Sequence, residues 1–252
     1  MKTKLFTIVL AFIGLHSLAQ ITVTDTDILD VGDVVYEALD SVSGSAIQIG
    51  SAGPNQTWDF SALQQNDVNI IEHVNPNSTP FGFMHPASNI CTEDDGQNLY
   101  MNKSSIRVEM VGIDDNQLLN PVTILPLPLT YGMQYSTGAI LAFEQIEENS
   151  FYHDSLAPFI SQFQAHTLDS IKLEVTLGSS YNVDGYGDVI IPMGTFPALR
   201  LYVSSTNTQT FSVYCTDTTM PGTGSNWYPA PQQLLPSETN SEYFYQWWSN
   251  DP

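Results

Sequence analysis

Two aspartates, Asp184 and Asp188, flank the segment Gly185-Tyr-Gly187, and carboxylates at such a spacing raise the question of a calcium site. Calcium loops place acidic ligands closer together and add a later bidentate glutamate, which this segment lacks. The residues on either side alternate cleanly, and glycines accept the positive φ of tight connections. The pattern therefore predicts that Asp184, Gly185, Gly187 and Asp188 are turn residues between two strands, and it assigns them no metal.

Other residue types that carry chemistry are scattered along the chain. The histidines beyond the first twenty residues show no H-x-H or H-E-x-x-H spacing, and they are His73, His85, His153 and His166. No G-x-S-x-G motif is present. Cys91 is followed by three acidic residues at 93–95, and negative charge raises a thiol pKa, opposite to what a nucleophile requires. The sequence therefore predicts no catalytic residue, no cofactor and no metal site.

Aromatic side chains near the end of the chain are the more distinctive feature. In the segment 242–249, EYFYQWWS, one strand face would carry Tyr243, Tyr245 and Trp247, while Trp227 lies in a preceding loop over 216–240. An exposed aromatic row can stack on sugar rings, whereas a buried row is core. Phe244 on the opposite strand face indicates a strand covered on both sides. A buried row is the favoured interpretation. The candidates for ligand stacking are Trp227, Tyr243, Tyr245 and Trp247.

The first nineteen residues have the pattern of a secretory signal peptide. Lys2 and Lys4 precede an apolar run over 5–15, and Ser17-Leu18-Ala19 fits a cleavage site. The sequence thus predicts cleavage after Ala19 and a secreted or cell-surface protein. Export permits a disulfide between Cys91 and Cys215, and two unpaired thiols are the alternative.

Composition limits the partners of the exported chain. The protein has 252 residues with 27 acidic and six basic side chains, and two of the six are Lys2 and Lys4. Such an acidic surface repels nucleic acid and anionic lipid. No stretch after the leader is apolar enough to span a membrane. A hydrophobic content of 42% and a charged content of 13% indicate a folded domain with a core.

Alternating hydrophobicity organises the chain into strands. The clearest strand covers 171–183, and others are expected at 33–39, 57–60, 68–74, 188–191, 196–204 and 211–215, and at 242–249. Residues 97–111 predict a hairpin turning at 102–104, and the prolines of 125–129 predict an edge strand or linker. Residues 155–164 predict the one short helix. We expect a single all-β domain over 20–252, mainly antiparallel, folded as a sandwich or an open curled barrel.

Three stretches carry a resemblance to a known group of proteins. They are AGPNQTWDFSAL at 52–63, PLTYGMQYS at 128–136 and VDGYGDVIIPMGTFPALRLYV at 183–203. They resemble uncharacterised secreted proteins of Bacteroidetes, a group that often carries a C-terminal sorting domain of the type IX secretion system. The resemblance implies export and supplies no catalytic residues. Because no sorting domain follows Pro252, we expect a truncated sequence or a member that lacks this signal.

Three functions from different classes are compatible with these features. The favoured one is a non-enzymatic binding or adhesion module at the cell surface, with a glycan or another surface protein as partner. The second is a carrier that holds an apolar or lipid-like ligand in a curled sheet, which a cavity lined by Leu, Ile and Phe would favour. The third is a secreted hydrolase whose carboxylates converge only in the fold.

Overall fold

The computed structural model describes residues 21–40, 47–148, 156–163, 165–218 and 226–250. The predicted signal peptide and His153 lie outside these residues. Twelve strands are present in the described residues: β1 Val34–Leu39, β2 Gly53–Asp59, β3 Asp67–Val74, β4 Ile90–Asp94, β5 Gln97–Ser104, β6 Arg107–Ile113, β7 Asn116–Pro126, β8 Gln134–Glu148, β9 Ala165–Ile191, β10 Gly194–Thr218, β11 Asn226–Pro229 and β12 Glu238–Trp248. The helical elements in this part of the chain are short 3-10 segments, Asp25–Asp27, Pro76–Ser78, Gly82–Met84 and Ala157–Phe163. The all-β class is confirmed.

The strands form two sheets. The first sheet has the order β1-β3-β4-β5-β6-β7 and is antiparallel throughout. The second sheet is built on the long hairpin of β9 and β10, which turns at Pro192-Met193. Strands β11 and β12 pair with the outer edge of β10, and β8 and β2 pair with the outer edge of β9. Only the β2–β9 pair is parallel among these described pairings.

The two sheets pack face to face around the main core. Side chains of the first sheet, including Ile90 and Val108, meet Val183, Leu199 and Leu201 of the second. Period-two patterning explains this packing, because the odd-numbered residues of β10 that face the core are apolar at this end. No helix among the described residues is long and apolar enough to cross a membrane.

Several predictions of individual elements are confirmed, and others are corrected. The strand predicted over 171–183 lies inside β9, and β7 is an edge strand as the prolines of 125–129 indicated. The hairpin of β5 and β6 turns at residues 105–106 instead of 102–104. The predicted loop over 216–240 was wrong in part, because β11 and the start of β12 fall within it.

Candidate functional site

The second sheet has an outward face that carries an aromatic cluster. Tyr202 of β10 lies directly opposite Tyr245 of β12, and Tyr243 is opposite Ser204 two positions along. Because side chains alternate between the faces of a strand, all three tyrosines project from the face that points away from the main core. We refer to Tyr202, Tyr243 and Tyr245 as the tyrosine platform.

The three rings of the tyrosine platform lie side by side. The ring centre of Tyr202 is 5.2 Å from that of Tyr245 and 6.4 Å from that of Tyr243. The interplanar angles are 50° and 38°, so the rings are tilted and not stacked on one another. Tyr243 is 72% exposed. Ring faces therefore remain accessible to a ligand, contrary to the expectation that the row is entirely core.

Polar side chains of β8 and β9 lie on one side of the platform. A shallow depression of about 470 Å³ beside Tyr202 is lined by the polar side chains of Gln134, Ser136, Ser180 and Asn182. Gln134, Ser136 and Ser180 are exposed, and within the described part of the chain Gln134, Ser180 and Asn182 make no side-chain hydrogen bond. Their amide and hydroxyl groups both donate and accept hydrogen bonds. The face thus combines apolar rings with unengaged polar groups.

A buried ion pair supports the platform from one end. Arg200 is 3% exposed, and its Nε and Nη2 donate to the two carboxylate oxygens of Asp184 at 2.8 and 3.0 Å. Its Nη1 donates to the carbonyls of Ile49 and Gly50. The guanidinium lies 4.9 Å from the ring centre of Tyr245, a cation–π contact. Arg200 therefore positions Tyr245 as part of the site.

The turn predicted for Asp184, Gly185, Gly187 and Asp188 was wrong. All four residues lie inside β9. A β-bulge leaves Asp184 without a partner on β10, because Arg200 pairs with Gly185 and Leu201 pairs with Val183.

The glycines of this segment serve close packing, not positive φ. Gly185 lies beneath the ring of Trp58, and a Cβ at Gly187 would overlap the backbone of Gln56 on the parallel strand β2. Neither glycine has a positive φ. Turn chemistry and close backbone approach both select glycine, which is why the sequence pattern was ambiguous.

The other two aromatic candidates lie apart from the platform. Trp247 packs edge-on against Trp58 and Phe60, so the core interpretation applies to it. Trp227 lies on β11, where it contacts Tyr214 and lies under the ammonium group of Lys172. The sequence brought Tyr243 and Tyr245 together correctly and missed Tyr202. The sequence signal for Tyr202 was an aromatic residue on the otherwise polar side of a strand.

The cysteines and described histidines occupy structural positions. Cys91 and Cys215 are free thiols in separate core clusters, so of the two alternatives left open by the sequence, the unpaired thiols are the one present. Burial raises the pKa of each thiol to about 11.

His85 stacks on Tyr100, and His73 hydrogen-bonds to Thr92. His166 lies in β9, and its side chain is not described. Among the described residues, no three His, Cys, Asp or Glu side chains group as metal ligands.

The chain has no match among family models, curated proteins or solved structures.

Proposed function

We propose that this protein is an exported, non-enzymatic binding or adhesion module, and that the tyrosine platform binds a neutral glycan. The observation that carries the proposal is the exposed ring of Tyr243 beside Tyr202 and Tyr245 on an outward sheet face. The apolar C–H faces of pyranose rings pack on aromatic rings, and sugar hydroxyls exchange hydrogen bonds with side chains such as Asn182 and Gln134.

The charge distribution favours a neutral glycan over an acidic one. Outside the predicted leader, the chain has four cationic side chains, and each is engaged by a carboxylate: Lys103 by Asp30, Arg107 by Glu109, Lys172 by Glu144 and Glu174, and Arg200 by Asp184. No cationic side chain of the chain outside the leader is thus left to pair with a uronate or sulfate group. The overall net charge of −21 adds repulsion for anionic polymers.

The export part of the proposal rests on the leader over 1–19 and on the resemblance to secreted Bacteroidetes proteins. A β-rich domain with an acidic surface suits a role at the cell surface, and the type IX route remains part of the proposal.

Affinity electrophoresis through gels that contain a soluble polysaccharide tests the glycan proposal. Xyloglucan, galactomannan and laminarin serve as neutral probes, and alginate serves as the acidic one. We expect at least one neutral polysaccharide to retard the protein and alginate to have no effect. Tyr243→Ala should weaken that retardation about 3- to 10-fold, in line with one lost aromatic contact.

Tyr36→Ala is the matched control, because Tyr36 is 69% exposed on β1 of the first sheet and is as accessible as Tyr243. Retardation by none of the neutral polysaccharides would overturn the proposal. An equal loss of binding in Tyr36→Ala and Tyr243→Ala would overturn the assignment to the tyrosine platform.

A further inference from the structure

A second concave site lies on the opposite face of β10, between the two sheets. It is a cleft of about 440 Å³, within the range of small-molecule sites in proteins. The main core ends at Tyr181 and Val203, and the cleft begins there because β9 and β10 extend beyond the strands of the first sheet. Tyr181 closes the inner end, and its hydroxyl donates to the carbonyl of Thr123 at 2.7 Å.

Both sheets contribute apolar side chains to the wall of this cleft. The first sheet contributes Met110, Val122 and Ile124, and the second contributes Leu177, Val203 and Phe244. Ile124 is 39% exposed and Phe244 is 42% exposed, so part of this apolar wall is open to solvent. Exposed apolar surface that lines a concave site is typical of a place where a ligand chain lies.

Polar groups also line the cleft, and those of β10 begin beyond Val203, where Asn207 lies opposite Leu177. Asn207 lines the cleft, and its Oδ1 is buried without a hydrogen-bond partner among the described residues. A buried acceptor without a partner is costly, and a ligand hydroxyl could satisfy it after a small side-chain rotation. Ser205 and Asn240 lie beside Asn207 and add further hydrogen-bonding groups.

The charge of the lining restricts the headgroup. Glu242 is the one ionisable acid among the described lining residues, and none of those residues is Lys, Arg or His. A carboxylate or phosphate headgroup would meet Glu242 with no counter-charge, which disfavours fatty acids and phospholipids.

We propose that this cleft binds a neutral single-chain amphiphile of the monoacylglycerol class, with the hydrocarbon chain against Leu177, Val203 and Phe244. The glycerol hydroxyls donate to Asn207 Oδ1 and to the neighbouring polar groups. The cleft and the tyrosine platform lie on opposite faces of β10, so this site is independent of glycan binding.

Displacement of Nile red, a neutral apolar dye, by monolaurin tests the proposal in the whole exported protein. Laurate, at a pH where it is ionised, has the same chain with an anionic head. We expect monolaurin to displace the dye below its own aggregation threshold, with an affinity about tenfold or more above that of laurate. Failure of monolaurin to displace the dye, or equal affinities for the two compounds, would overturn the proposal.

Two adjacent substitutions locate the binding. Ser205→Phe fills the cleft, whereas Ser204→Phe places the same ring on the outward face of the same strand. Monolaurin binding should be lost in Ser205→Phe and kept in Ser204→Phe, with both proteins folded as judged by circular dichroism. Loss of binding in both variants, or in neither, would contradict this location.

Asn207→Leu separates a ligand-binding role from a structural one. Removing a buried acceptor that has no partner should raise the melting temperature of the free protein, while the affinity for monolaurin falls about 3- to 10-fold through the lost hydrogen bond. A lower melting temperature together with unchanged monolaurin affinity would show that Asn207 is structural and would overturn its role.

Discussion

The ion pair between Asp184 and Arg200 gives the sharpest prediction about stability. Asp184→Ala removes the only carboxylate among the described residues that engages the guanidinium, and it leaves the guanidinium with the carbonyls of Ile49 and Gly50. Arg200 is 3% exposed and the Asp184 side chain is 18% exposed, so water replaces the lost carboxylate only in part. The variant therefore retains a buried cation without a counter-charge.

The size of the effect follows from the bonds that are lost. Two of the four hydrogen bonds that Arg200 makes to described residues end on Asp184, and a hydrogen bond to a charged group contributes about 1.5–3 kcal/mol. Breaking a buried ion pair by removing one partner costs about 3–5 kcal/mol, which agrees with that sum. For a domain of this size, the melting temperature should fall by roughly 6–20 °C.

Urea denaturation and thermal unfolding followed by circular dichroism measure this loss, with Asp188→Ala as the matched control. Asp188 lies four residues along the same strand and is exposed, and no hydrogen bond or ion pair within the described residues engages it. Its replacement should change the free energy of unfolding by at most about 0.5 kcal/mol.

Adding Arg200→Met to Asp184→Ala should recover part of the loss, because an apolar side chain then replaces the unpaired charge. A cost below about 1 kcal/mol for Asp184→Ala would refute the argument.

Four further outcomes are expected. Because burial raises the pKa of Cys91 and Cys215 to about 11, both thiols should react with Ellman's reagent slowly at pH 8 in the native protein and fully in urea; one disulfide by mass would contradict this. Burial, opposed in part by a nearby carboxylate, lowers the pKa of His73 from 6.5. The stability contributed by neutral His73 is complete above pH 6.5. Below pH 6.5 the unfolded chain takes up a proton on this histidine and the stability falls, so His73→Gln should weaken the pH dependence of the unfolding free energy between pH 7 and 5. Gly187→Val should lower the melting temperature strongly, since its side chain would overlap the β2 backbone, and an unchanged value would refute that packing. The intact mass of the exported protein should correspond to a chain that starts at Gln20, and retention of residues 1–19 would remove the basis for export.

Local patterning predicted the strands better than it predicted where they end. The alternation over 171–183 identified β9 because the odd-numbered residues of this segment are mostly apolar, and Ile171, Tyr181 and Val183 among them are buried. The same pattern failed at Gly185 and Gly187, where the sequence has the composition of a turn. What decides the structure there is contact with β2, about 130 residues earlier in the chain. Pairing between distant segments leaves no local signal, so the bulge and the ion pair at Asp184 could not be predicted.

The candidate site shows the same limit. The sequence placed Tyr243 and Tyr245 on one face of a strand, and the structure agrees. Whether that face is covered depends on which distant segments pack on it. Trp58 and its neighbours pack on Trp247 but not on Tyr243 or Tyr245. The aromatic row of β12 therefore changes from core to surface along a single strand. A periodic pattern identifies the face of a strand but not the layer above it.

Alternation along β10 also accounts for the two proposed sites. Tyr202 and Ser204 point outward with the tyrosine platform, whereas Val203, Ser205 and Asn207 point toward the first sheet and line the cleft. In an ordinary sandwich, the second set would be apolar and covered. Here β10 runs past the strands opposite it, so its inward residues turn from apolar to polar at Ser205, where the core ends. The change from valine to serine and asparagine on the inward face is therefore the sequence feature that marks the cleft, just as tyrosine on the outward face marks the platform.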